Sequence, residues 1–177
     1  ELLIAGMYDV SRFMMVINAV VFAVAFSSGL ASTMPGASKC VQAILDLGRL
    51  LRLRRDHRTF RPTTFYTGNT ADGDVIPDIT WLDYTGQMMP DYKWFDPNVR
   101  LLQALRSGFG QDADALIVAN GNVTWRVVQL PQGRGNPFRL EWRSTWETPR
   151  RSTPTYAPGA LTRVPPLSLT LFFANPA

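Results

Sequence analysis

From Pro62 onward, short β-branched and aromatic runs alternate with clusters of Gly, Pro, Asn and Asp, and this alternation constrains the fold more than any other feature. The runs are Ile79 to Asp83, Val99 to Ser107, Ala115 to Asn120, Val123 to Leu130, Phe138 to Ser144, Leu161 to Val164 and Leu167 to Phe173. Most of the 13 prolines fall in this part of the chain, so each run is cut off before a helix could form. Strands following one another without intervening helices predict an antiparallel β-sandwich or Greek-key layer, not a parallel sheet. Asn120-Gly121, between two of these runs, is the strongest short hairpin signal and predicts that they pair.

One helix is expected ahead of this region. Pro35 and Gly36 break the chain, and Ser38 is placed to cap a helix start. Val41, Ile44, Leu45, Leu47, Leu51 and Leu53 then recur at the spacing of one helix face, predicting a helix from about 38 to 57. Arg49, Arg52, Arg54, Arg55 and Arg58 gather at its end, where cations suit the negative pole of the helix dipole. This cluster reads as a solvated helix end, with a phosphate site as the alternative.

Residues 13–38 carry no charge, and Phe13 to Phe26 is almost wholly apolar. A spanning helix needs about 20 apolar residues, and Asn18, Ser27, Ser28 and Gly29 interrupt this one. The segment therefore reads as buried in a larger α/β body or as a misread stretch of gene, with a membrane anchor through Phe13 to Leu30 as the alternative. Glu1, Asp9 and Arg12 ahead of it do not make the basic start of a signal peptide. Because the chain opens on Glu1, it reads as a piece of something longer.

Several chemistries are ruled out by composition. Cys40 is the only cysteine, so no intrachain disulfide or thiolate zinc site can form, which fits a reducing, cytoplasmic compartment. His57 is the only histidine, excluding a two-histidine metal site, and its place at a basic helix end favours imidazolium over base. The net charge of +4 rests mostly on arginines spread along the chain, a poor match to nucleic acid, which wants a concentrated basic face. No glycine-rich phosphate loop is present, and no cofactor is implied.

The candidates for paired-carboxylate catalysis are Asp72, Asp74, Asp78, Asp83, Asp91, Asp96, Asp112, Asp114, Glu141 and Glu147, most of them beside turn residues. Asp78, directly before Ile79-Thr80-Trp81-Leu82, reads as positioned, in a structural role. Trp81, Trp125 and Trp142 are expected in the core by strand alternation. Trp94, Trp146 and Tyr156 are the candidates for a surface that stacks on glucan.

Taken together, Leu51 to Phe60, Phe65-Tyr66-Thr67-Gly68, Pro77-Asp78-Ile79-Thr80-Trp81-Leu82 and Gly86-Gln87-Met88-Met89 followed by Trp94 resemble the C-terminal portion of isoamylase-type glycogen debranching enzymes, in the α-amylase superfamily. There an Arg-Arg-X-His helix end closes a (β/α)8 barrel, and the following elements open a β-sandwich C domain. The resemblance covers roughly residues 44–173, with Arg58 in place of the family's usual proline and Met88 in place of an acidic residue. Leu2-Leu3-Ile4-Ala5-Gly6 is similar to the last barrel strand, while segment 7–43 diverges.

The resemblance implies two regions, the end of a barrel over 1–60 and a β-sandwich over 61–177. It also implies hydrolysis of α-1,6 branch linkages in a glycogen-like α-glucan, by an Asp and a Glu on barrel strands. No position here matches those carboxylates, so the chain alone is expected to be inactive. A stand-alone glucan-binding module and a membrane-tethered β domain are the competing readings.

Overall fold

The computed structural model describes residues 37–71, 73–144 and 153–175, with side chains from residue 46 on. Phe13 to Leu30, Leu2 to Gly6, most of segment 7–43, Asp72, Trp146 and Glu147 lie outside the described residues.

The chain divides into two compact units, Glu1–Arg52 and Leu53–Ala177. Helix α1 (Ala37–Asp56) is the helix expected at 38–57, and it carries Arg54 and Arg55 in its last turn. Ser38 lies within the helix rather than ahead of its first residue. On its apolar face Leu47 is 37% and Leu51 54% exposed.

A short 3-10 helix (Arg58–Phe60) leads out of α1. The strands follow as β1 (Ile79–Leu82), β2 (Leu101–Arg106), β3 (Asp114–Asn120), β4 (Arg126–Gln129), β5 (Phe138–Arg143), β6 (Thr155–Tyr156), β7 (Leu161–Val164) and β8 (Ser168–Ala174), with a second 3-10 helix (Asp91–Phe95) between β1 and β2. Six strands form one sheet in the order β1-β2-β3-β8-β5-β6, and β4 pairs with β7 in a second sheet. Each pairing is antiparallel. The domain is therefore mainly β, an open sandwich with one large and one small layer.

Side chains alternate between the two faces of a strand, and here both faces of the central strands are covered. On one face Leu101, Leu105, Leu116, Val118, Phe138 and Phe172 pack with Val128 of β4 and Val164 of β7. On the other, Ala115, Ile117, Leu171 and Phe173 pack with Leu53 of α1 and with Phe60. This double cover explains why β3 and β8 read as nearly continuous apolar runs. Burying Phe172 completely contributes about 2–3 kcal/mol by transfer.

In β5 the register shifts between Leu140 and Trp142, so that Glu141 is the extra residue of a bulge. Two residues apart, Leu140 and Trp142 would otherwise share a face. The bulge sends Leu140 to the inter-sheet core and Trp142 to the helix side.

Two expectations are corrected. Asn120-Gly121 does not make a hairpin: β3 pairs with β2 and β8, while β4 pairs with β7. The Asn120 side chain folds inward, accepting from Asn122 N at 3.0 Å and donating to Thr124 O at 3.1 Å and Pro165 O at 2.7 Å. The dipeptide thus marks where the chain crosses between layers. Trp125, expected in the core, is exposed and lies beneath the Arg163 guanidinium, because among the described residues nothing covers the outer face of the two-stranded sheet, where Val127 and Leu161 are exposed too.

Candidate functional site

The candidate surface is built on edge strand β1 and the turn after it. Asp83 N donates to Gln87 O and Gly86 N to Asp83 O, which closes the turn. Gly86 has φ +74°, and a Cβ there would come within 2.9 Å of Gln129 O. Only glycine lets this turn lie against β4. Gln103, fully buried, donates through Nε2 to Asp83 O at 2.7 Å and Gln129 O at 2.9 Å, binding the turn to both layers.

The Asp83 carboxylate accepts from Thr85 N and from Lys93 Nζ, at 2.8 and 2.6 Å. Burial works to raise its pKa, but the hydrogen bonds from Lys93 and Thr85 outweigh burial and hold it below the ordinary value. Lys93 also lies over the Tyr84 ring, 5.4 Å from its centroid. Trp94 sits edge-on to Trp81 at 6.0 Å. Tyr92 and Phe95 are three apart in the 3-10 helix and so project from the same side. Both are open to solvent, Phe95 at 87% exposure. Trp94, Tyr84 and Met88 are exposed too. Aromatic faces beside a fixed ion pair can stack on the apolar face of a sugar ring or bury against another protein surface.

Asp78 organises the stretch before β1. Its Oδ2 accepts from Thr67 N at 2.7 Å and Thr67 Oγ1 at 3.1 Å; its Oδ1 accepts from Gly68 N at 2.8 Å and Ile79 N at 2.7 Å. With the carboxylate filled by these donors, its work is to hold the 67–68 loop against the start of β1.

Among the candidate carboxylates, Asp74 and Asp114 are brought together, with Arg134 between them. Arg134 Nη1 pairs with Asp74 Oδ1, Nε reaches Asp114 Oδ2 at 3.0 Å, and Nη2 donates to Ser107 Oγ at 2.7 Å. Ser107 in turn donates to Asp74 Oδ2 at 2.7 Å. Burial works to raise the Asp74 pKa, yet the bonds from Arg134, Ser107, Val75 N and Ile76 N hold it well below the usual carboxylate range. A carboxylate held ionised in this way has no proton to give as a general acid.

His57 Nδ1 lies 2.9 Å from Asp112 Oδ1, and its ring packs on Phe173 with centroids 4.3 Å apart. Thr59 N and Oγ1 donate to Asp112 Oδ2. The pair fastens the chain after α1 onto the sheet.

Of the residues singled out for glucan stacking, Trp94 is on the exposed surface. Tyr156 is half-buried, packed against the inter-sheet core and edge-on to Phe172 at 5.8 Å. Tyr84 and Tyr92, which the sequence also offers as aromatic faces able to stack, are exposed beside Trp94, and Phe95 is the companion that the sequence reading did not single out. Its signal was the density of aromatic residues between Trp81 and Phe95, outside any alternating strand pattern. Among the described residues, no group of His, Cys, Asp and Glu is placed to hold a metal, and no helix is long and apolar enough to cross a membrane.

No protein-family model and no curated protein matches the chain. Among solved structures, a GH30 endoxylanase from Clostridium papyrosolvens matches at 14% identity and a TM-score of 0.36, over 45% of this chain and 21% of that one. A likeness that partial carries no argument about fold or function. The functional reading rests on the residues themselves.

Proposed function

We propose that the chain is the non-catalytic C-terminal part of a glycoside hydrolase that cleaves α-1,6 branch linkages in glycogen-like glucans, with α1 set against the barrel and the β domain bracing it. What supports this reading is the meeting of the motif elements. Asp78 of the Pro77 to Leu82 element holds Thr67 and Gly68 of the Phe65 to Gly68 element, and Trp81 packs against Trp94 of the last element. Residues quoted from separate stretches thus form one junction, and the exposed Leu47 and Leu51 give α1 an apolar face for a barrel to cover. The hydrolytic Asp and Glu of such an enzyme belong to barrel strands that this chain does not supply. The compartment we assign is the cytoplasm.

Fusing residues 37–177 behind a debranching barrel stripped of its own last helix and β domain tests the reading. Restored release of linear chains from glycogen is expected, whereas a folded but inactive chimera counts against it. The unfused 177-residue chain should release none.

The exposed Tyr92, Trp94 and Phe95 favour a second reading, a glucan-binding module. Titrating maltodextrin into the chain while following tryptophan fluorescence separates the two: a saturable change that Trp94→Ala abolishes supports the module, and an unchanged spectrum rejects it.

A further inference from the structure

Asn120-Gly121 is the only Asn-Gly dipeptide in the chain. Where such a pair is free to move, the glycine nitrogen can attack the asparagine side-chain carbon, since no Cβ on the following residue screens it. The nitrogen gives its proton to solvent and bonds to Cγ, and the side-chain nitrogen leaves as ammonia. Water then opens the five-membered imide so formed, at one carbonyl to give aspartate and at the other to give isoaspartate.

In the fold every atom of that reaction is tied down. Asn120 is 2% exposed and, as the last residue of β3, is paired with Leu101 of β2 and Ser168 of β8. Nδ2, the leaving nitrogen, donates to Pro165 O at 2.7 Å and to Thr124 O at 3.1 Å. Oδ1 accepts from Asn122 N and from Asn122 Nδ2, both at 3.0 Å. Gly121 N, the attacking atom, donates to Arg100 O at 2.7 Å. To close the ring, Gly121 N must leave Arg100 O and swing onto Cγ while the side chain gives up its own bonds, so the reaction proceeds from an opened chain.

The same contacts decide what the products can do. An aspartate in this place sets a charged oxygen against the carbonyls of Thr124 and Pro165, acceptor against acceptor in a buried position. Isoaspartate adds a carbon to the main chain where β3 is paired on both sides.

We propose that Asn120-Gly121 is a deamidation site that the fold holds unreactive and that, once reacted, bars the chain from refolding. Loss of the native state thereby becomes one-way on the timescale of the reaction. The site is independent of what the domain binds.

Holding the full 177-residue chain at mildly alkaline pH, native in one sample and in guanidinium chloride in another, tests the proposal, with the peptide that contains residue 120 followed by mass spectrometry. Conversion in the native sample is expected to be at least about tenfold slower than in the unfolded one. After dilution from denaturant, the chains that regain the native circular dichroism signal should carry asparagine at position 120, and those left unfolded should carry the products. Equal rates in the two samples, or no conversion in denaturant, overturn the site. Reacted chains that refold as the unreacted ones do overturn the bar to refolding. Asn120→Asp supplies one product directly and should fail to fold or lower Tm further than Asn120→Ala does; an Asn120→Asp chain as stable as Asn120→Ala overturns the bar as well.

Discussion

Asp78 receives donors from Thr67, Gly68 and Ile79 on its two oxygens. Removing the carboxylate leaves those N–H groups partly buried without acceptors, which costs about 1–3 kcal/mol each where water cannot reach them. Asp78→Ala should therefore destabilise the domain by about 3 kcal/mol in urea titration, and a change under 1 kcal/mol would mean that the cage is dispensable. Asp74 and Asp112 act through charge. Both are held below the ordinary carboxylate value when folded, so in acid the unfolded chain binds more protons. Their contribution to stability is complete above about pH 4 and is lost as the pH falls through their folded values. The urea midpoint should accordingly drop below about pH 4, and Asp74→Asn should flatten that drop while lowering stability at neutral pH.

At the scale of elements, close backbone approaches decide what the sequence tolerates. A Cβ at Gly108 would lie 2.1 Å from Asp112 O and 2.8 Å from Ala113 O, in the turn between β2 and β3. These are backbone atoms of one tight turn and cannot swing aside as a side chain could. Gly108→Ala should prevent folding or lower Tm by more than about 10 °C, read by circular dichroism. Asn120→Ala removes the side-chain bonds to Thr124 O and Pro165 O that tie the layer crossing, and about 2 kcal/mol should be lost in chemical denaturation. The runs that became β1, β2, β3, β4, β5, β7 and β8 were legible because apolar β-formers between turn residues have few other ways to bury themselves. Strand β6 was not: it is two residues long, Thr155–Tyr156, and exists because β5 offers it an edge.

For the whole molecule, the contact pattern separates Leu53–Ala177 as a unit with its own core on both faces of the large sheet. A chain of residues 53–177 should fold cooperatively, giving a β-type circular dichroism spectrum and a single melt; a molten profile would show that the preceding residues are needed. Part of the surface site was legible as well. Trp94 stood out by its place in a turn-rich stretch, but Lys93 on Asp83, and Trp81 behind Trp94, are contacts between residues that only folding brings side by side. By itself, the sequence determined the class of the fold, the helix ahead of it, and the chemistries that one cysteine and one histidine exclude, because these depend on composition and local periodicity. Which strands are neighbours, that Asn120-Gly121 crosses between layers and that Arg134 joins Asp74 to Asp114 were decided by tertiary structure. Each of these turns on contacts between residues distant in the chain, and local preference carries no information about them.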